Sequence, residues 1–160
     1  MAKRSAGILM YRRQGPAIEL LLVHPGGPFW QNKDRGAWSL PKGEYAAGED
    51  PLAAAKREFA EELGSALPDR AFLDLDAIKQ PGGKVITAFA IEGDFDPAAL
   101  KSNSFAIEWP PGSGRTQTFP EVDRAQWFSP ADACEKILPG QSGFITRLLE
   151  TLGHESGLQP

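Results

Sequence analysis

The chain has one cysteine, Cys134, among 160 residues. That excludes an intramolecular disulfide and any multi-cysteine zinc site. It is compatible with a reducing compartment, and a cytoplasmic location is expected. Cys134 falls in a helix-like stretch and reads as a buried, inert thiol. Histidine is nearly as scarce. His24 and His154 lack metal-ligand spacing and read as structural or exposed. Long apolar runs are missing too: Ile18 to Val23 is already interrupted by Glu19, far short of a bilayer span. The start, Met1-Ala2-Lys3-Arg4-Ser5, is basic, but no small-residue cleavage site follows Ala6 to Tyr11, so no signal peptide is expected. Positive charge is not in excess: 17 basic residues face 21 acidic ones, for a net charge of −4. Broad binding to long nucleic acid is therefore not expected. A local basic cluster or a metal can still serve a small polyanionic substrate. No repeat and no long linker divides the chain, so one domain over residues 1–160 is expected, with a polar tail from about residue 153.

Punctuation by 17 glycines and 14 prolines marks out the elements. Ser5 to Arg12 and Ile18 to His24 read as strands around Gln14-Gly15-Pro16. A Gly/Pro loop, Pro25 to Pro28, follows, and Trp38 to Leu40 is a short strand candidate ending at Pro41. Phe72 to Lys79 and Lys84 to Glu92 form a hairpin about Gln80-Pro81-Gly82-Gly83. Phe105 to Trp109 and Arg124 to Phe128 are further strands. Pro130 to Leu138 and Gly143 to Leu152 are closing helices. The clearest helix runs from Asp50 to Leu63, with Asp50 as N-cap, Pro51 at the first position and Gly64 as the stop.

That helix carries the chemistry. Glu58, Glu61 and Glu62 stand at i, i+3 and i+4, within an arc of roughly 100° at the usual helical rotation. Leu52, Ala55, Phe59 and Leu63 fill the adjacent arc and anchor the helix to the core. Like charges at this spacing repel, and the C-terminal half of a helix disfavours negative charge. A cation relieves both costs. Clustered carboxylate oxygens suit Mg²⁺ or Mn²⁺, ions that bridge to substrate phosphates. The competing reading is a solvated acidic face paired with Lys56 and Arg57.

The frame around the helix decides between them. Gly43, five residues, Glu49, seven residues, then Arg57-Glu58-Phe59-Ala60-Glu61-Glu62-Leu63-Gly64 resembles the Nudix box, G-x5-E-x7-R-E-U-x-E-E-x-G-U, where U is a bulky aliphatic residue. Phe59 is an aromatic variation on the first U. Ser65 departs from the second, which leaves Leu67 as a possible packing substitute. The resemblance implies a Nudix α/β/α sandwich with a mixed central β-sheet. By matching position, Glu58 and Glu62 would be the main metal ligands, and Glu61 a further ligand or the base. Gly43 would bring a backbone carbonyl to the metal. Glu49 and Arg57 would join loop to helix by an ion pair. The implied activity is metal-dependent hydrolysis of a nucleoside diphosphate linked to another group, by water attack on phosphorus.

Flanking residues bear on the substrate. Trp38-Ser39-Leu40-Pro41-Lys42-Gly43 is similar to the lead-in of the Nudix diadenosine tetraphosphate hydrolases, and Lys84 to Phe89 to their strand after the box. Lys42 and Lys84 could contact non-reacting phosphates. Glu121, ahead of the strand ending in Trp127-Phe128, could reach the metal site as ligand or base; Glu108 is a rival. Trp30, after the Gly/Pro loop with Phe29, could stack on a base. Trp109 and Trp127 read as packing residues. The leading expectation is a hydrolase of dinucleoside polyphosphates. The alternatives are a nucleoside triphosphate pyrophosphohydrolase, an RNA 5′-pyrophosphohydrolase, or a non-catalytic nucleotide-binding sensor. The intact glutamates argue against the sensor.

Overall fold

A computed structural model describes residues 3–153; His154 lies outside them. Strands β1 (Arg4–Gln14) and β2 (Ala17–Pro25) pair antiparallel only near their shared turn, from Tyr11↔Leu20 to Gln14↔Ala17. Further along, β3 (Lys42–Glu44) takes the edge of β1 that β2 has left, pairing Ser5 with Glu44 and Gly7 with Lys42. The segment before β3 thus wedges into a fork between β1 and β2. Ser39 exchanges both backbone hydrogen bonds with Val23, and Ile8 donates to the Pro41 carbonyl.

On its other edge β1 runs parallel to β5 (Val85–Glu92), in register from Arg4↔Val85 to Tyr11↔Glu92. Strand β4 (Leu73–Lys79) pairs antiparallel with β5, and β8 (Val122–Phe128) with β2. The spatial order is β4-β5-β1-β2-β8, with β3 attached to β1. One parallel pair among antiparallel ones makes this a mixed sheet. A separate ribbon is formed by β6 (Ser104–Glu108) and β7 (Thr116–Pro120).

Helices cover both faces. The α1 helix (Pro51–Leu63) packs Ala54, Ala55, Phe59 and Leu63 against Ala6, Ile8, Met10, Leu21 and Ile91. The α2 (Pro130–Lys136) and α3 (Ser142–Thr151) helices close the other face, where Phe144, Ile145 and Leu148 meet Leu9, Leu20, Leu22 and Trp38. Alternation along β1 sends Ile8 and Met10 to one face, Leu9 and Tyr11 to the other. Both faces are buried, so β1 reads as a nearly continuous apolar run.

Two expectations about the elements need correction. Trp38 to Leu40 is not a sheet strand: it makes isolated bridges, Val23↔Ser39 and Trp38↔Ile137, because it spans the fork rather than following one neighbour. The real strand begins after Pro41. The first closing helix stops at Lys136, with Ile137 extended, since Pro139 lies within reach of another turn and Trp38 captures the backbone of Leu138. The ribbon's second strand, β7, carries no signal in the sequence, since Thr116-Gln117-Thr118 has no apolar alternation and stays exposed.

Leu67 packs against the α1 core cluster where Ser65 cannot. Cys134, expected to be buried, is only half-buried against the opposite cluster, and burial pushes its thiol pKa up. Trp127 packs by donating its indole N–H to the Phe95 carbonyl at 2.9 Å. Trp109 meets Phe29 edge-on, with centroids 5.4 Å apart.

Candidate active site

The α1 helix begins and ends where its caps dictate. The Asp50 carboxylate accepts the Ala53 N–H at 3.0 Å, and Pro51 needs no N–H partner there. Gly64 adopts φ 73°, the left-handed conformation that ends a helix at little cost to glycine. Between these ends the buried stripe puts Glu58 beside Phe59. Glu58 is buried, whereas Glu61 and Glu62 lie at the margin.

Gly43 meets this helix through β3. The Glu58 carboxyl occupies the space that a β-carbon on residue 43 would fill, so glycine leaves that carboxyl its place against the loop. Arg57 ties the same parts together. Its guanidinium donates to Glu58 Oε2 at 2.6 Å and to Glu49 Oε2 at 3.2 Å, and Glu61 Oε1 lies 3.5 Å away. Glu49 and Arg57 are thus paired across the seven residues that separate them in the chain.

A cavity of about 110 Å³ opens beside the helix. Lys42, Glu62 and Glu121 line it, with Ser39, Leu40 and Val122. Glu121 arrives there because it sits at the turn between β7 and β8, fixed by its N–H to the Asn103 carbonyl and its carbonyl to the Gly26 N–H. Lys84, just ahead of β5, lies 3.7 Å from Glu44 of β3 and repels Lys42. The fold therefore gathers Gly43, Glu58, Glu62, Glu121, Lys42 and Lys84 around one place.

The electrostatics there are strained by like charge. Burial, then repulsion from Glu58 and Glu121, pushes the Glu62 carboxyl up to about 8, with Lys42 opposing. Burial and Glu61 push Glu58 up as well, with Arg57 opposing and Glu121 adding. Burial and Lys84 lower Lys42. Among the described residues, no three acidic, histidine or cysteine side chains already converge on one point as a ligand cage. The cause is visible: Arg57 draws Glu58 and Glu61 to itself, while Glu62 turns toward Lys42 and Glu121.

The remaining predicted residues fall elsewhere. Glu108 caps its own ribbon, accepting from the Gly112 and Gly114 N–H groups at 2.9 and 3.1 Å, and is no rival to Glu121. Trp30 does not line the Glu62 cavity; the Lys33 ammonium sits 5.6 Å from its ring centroid. His24 is fully buried between Asp123 and the Lys33 carbonyl. That pairing escaped the sequence reading because nearly a hundred residues separate its partners.

Comparison with known proteins matches residues 1–148 to the NUDIX domain. A curated octanoyltransferase of Myxococcus xanthus is 30% identical over 135 residues, covering 84% of this chain; the chain spans 33% of that protein's length. Among solved structures, an Ap4A hydrolase of C. elegans in a binary complex superposes with a TM-score of 0.62 at 19% identity, covering 93% of this chain and 98% of that one. The NUDIX domain of Shewanella oneidensis NrtR, complexed with ADP ribose, gives 0.64 at 17%, covering 95% and 89%. These two likenesses concern the fold. The match along residues 1–148, with every charged position of the box in place, means that the chain belongs to the NUDIX family.

Proposed function

We propose that the protein hydrolyses dinucleoside polyphosphates, with diadenosine tetraphosphate the best-fitting example, and uses Mg²⁺ or Mn²⁺ to do so. One observation carries this reading. The acidic cavity at Glu62 has two lysines beside it, Lys42 on its wall and Lys84 close enough to repel Lys42. A chain of four phosphates gives both lysines a partner, and a single diphosphate link gives fewer.

The donor set fits a hard divalent cation. Burial and neighbouring carboxylates push Glu58 and Glu62 up, which is the signature of carboxylates short of positive charge. Gly43 presents bare backbone to Glu58. Glu58, Glu62, Glu61 and the Gly43 carbonyl would hold the ion, as oxygen donors suited to Mg²⁺. When bound, it would polarise a phosphoryl oxygen and neutralise charge on the departing phosphate.

The chain's own residues do the rest. Lys42 and Lys84 hold the non-reacting phosphates as point charges. Arg57 holds the Glu49 loop against the helix. Water attacks phosphorus, its oxygen forming the new P–O bond while the bridging P–O bond breaks and its electron pair leaves with the departing phosphate. Glu121 takes the proton from that water. Its carboxylate has no cationic nitrogen within 4 Å among the described residues, whereas Glu61 is engaged by Arg57. No helix among the described residues is long and apolar enough to cross a membrane; a cytoplasmic location and a single domain over residues 1–160 belong to the same proposal.

The test is a hydrolysis screen with Mg²⁺ over dinucleoside polyphosphates, nucleoside triphosphates, ADP-ribose and triphosphorylated RNA. Product analysis in ¹⁸O water locates the attacked phosphorus. Diadenosine tetraphosphate should show the highest kcat/KM; a preference for ADP-ribose or RNA overturns the substrate assignment.

A further inference from the structure

The Glu62 cavity, at about 110 Å³, is smaller than the roughly 300–1,000 Å³ typical of small-molecule sites. Its size suits the reacting phosphates. A second cavity of about 400 Å³ lies further along β8. The two are built on the same segments. Ser39 and Leu40 line the first and Trp38 the second; Glu121 and Val122 line the first, Arg124 and Gln126 the second. Both cavities border β8, the first with Val122 and Glu62 on the α1 side, the second with Trp38, Phe128 and Lys136 on the α2 side.

The charge of this second cavity opposes that of the chain as a whole. Lys33, Arg124 and Lys136 face it, against one acid, Asp34. Asp34 is already committed: Lys136 bonds it, and the Trp38 indole N–H donates to it at 2.8 Å. Lys33 has no carboxylate within 4 Å among the described residues, and Arg124 has only Asp123, at 3.8 Å. Two cations are left without a close partner, beside the amides of Gln31, Asn32 and Gln126.

Their placement is fixed from below. His24 is fully buried, with Nε2–H donating to the Lys33 carbonyl at 2.6 Å and Nδ1 2.8 Å from Asp123 Oδ1. One imidazole thus ties the backbone of Lys33 to the residue next to Arg124. The backbone beneath the two cations is fixed before any ligand arrives, which lowers part of the ordering cost of binding.

We propose that this cavity is the subsite for the distal phosphorylated nucleoside of the substrate: Lys33 and Arg124 take its phosphate, and the three amides take ribose hydroxyls or base edges. The inference rests on the dinucleotide reading above and adds the seat of the second nucleotide. It explains why a hydrolase with so small a reaction cavity can hold a substrate with two nucleosides.

The test uses ADP as probe, in EDTA, so that no turnover occurs. In ¹H–¹⁵N spectra of the intact chain, ADP should shift the Trp38 indole and Gln126 side-chain signals. Lys33→Ala/Arg124→Ala should weaken ADP binding at least tenfold, and Gln126→Glu, which adds a carboxylate to the cavity, should do the same; unchanged melting curves establish that the variants fold. Glu62→Gln should leave ADP affinity within twofold. With diadenosine tetraphosphate and Mg²⁺, the double variant should lose activity through KM rather than kcat. ADP shifts confined to the Gly43 and Lys84 region, or equal affinity in the double variant, overturn the subsite. Shifts at Trp38 in a protein that fails to cleave any dinucleoside polyphosphate would keep the subsite and sink the proposed substrate.

Discussion

The carboxyl of Glu58 rests against the Cα of Gly43, in the space where any other residue would place its β-carbon. The glycine leaves that carboxyl its place beside β3. Gly43→Ala should displace the Glu58 carboxyl. A misplacement on the order of 1 Å near reacting groups can cost about a hundredfold in rate. The expected result is a fall in kcat of at least tenfold, with a rightward shift in Mg²⁺ dependence and a folded circular dichroism spectrum. Activity within twofold of wild type would show that the contact is incidental.

Arg57 makes a different kind of link. It bonds Glu49 and Glu58 and lies near Glu61, so its removal leaves three carboxylates without their shared cation. The group is partly exposed and such pairs are individually weak, so Arg57→Ala should cost about 1–2 kcal/mol in total. For a chain of this size that lowers Tm by several degrees. Activity should fall with stability. Full stability with a selective loss of turnover would mean that Arg57 touches the substrate instead of holding the loop.

The pH dependence of the metal-free protein follows from Glu62. Its carboxyl is pushed from the ordinary 4.5 up to about 8, chiefly by burial. A folded state that holds a proton more tightly than the unfolded one loses stability as pH rises between the two values. In EDTA, Tm should be favoured at the acid end of the pH 4.5–8 window and decline toward pH 8. Glu62→Gln, which carries no ionisable proton, should flatten that decline. Mg²⁺ should restore wild-type Tm near pH 8 and leave Glu62→Gln unaffected. Parallel Tm–pH curves for the two proteins would refute the assignment.

How far these features could be read in advance depends on how local they are. The α1 helix, its caps and the placement of Glu58, Glu61 and Glu62 on one side follow from rules that act within a few residues, and they were legible from Asp50 to Gly64. The Glu49–Arg57 pair was legible because the box spacing carries it. The fork between β1 and β2 was not, since β3 pairs with a strand 37 positions earlier in sequence at Ala6↔Gly43, and its three residues have no periodicity to detect. The His24–Asp123 bond and the cations at Lys33 and Arg124 are long-range consequences of β2 lying beside β8. Glu121 sits between these cases: its position before a strand was visible, but only the turn from β7 brings it to Glu62.

The substrate assignment can be tested through the two lysines that border the reaction cavity. Lys42 is largely desolvated and repelled by Lys84, so each gains from an anionic partner. A lysine contact to a partly exposed phosphate contributes on the order of 1 kcal/mol, nearly tenfold in binding. Lys42→Ala/Lys84→Ala should then reduce kcat/KM for diadenosine tetraphosphate by roughly 10–100-fold. ADP-ribose, with two phosphates, cannot engage both lysines while also presenting its reacting link, so its smaller kcat/KM should fall only a fewfold. The comparison needs both substrates on both proteins under the same Mg²⁺ concentration and ionic strength, because salt screens exposed pairs. Equal losses for the two substrates would remove the link between the lysines and phosphate number.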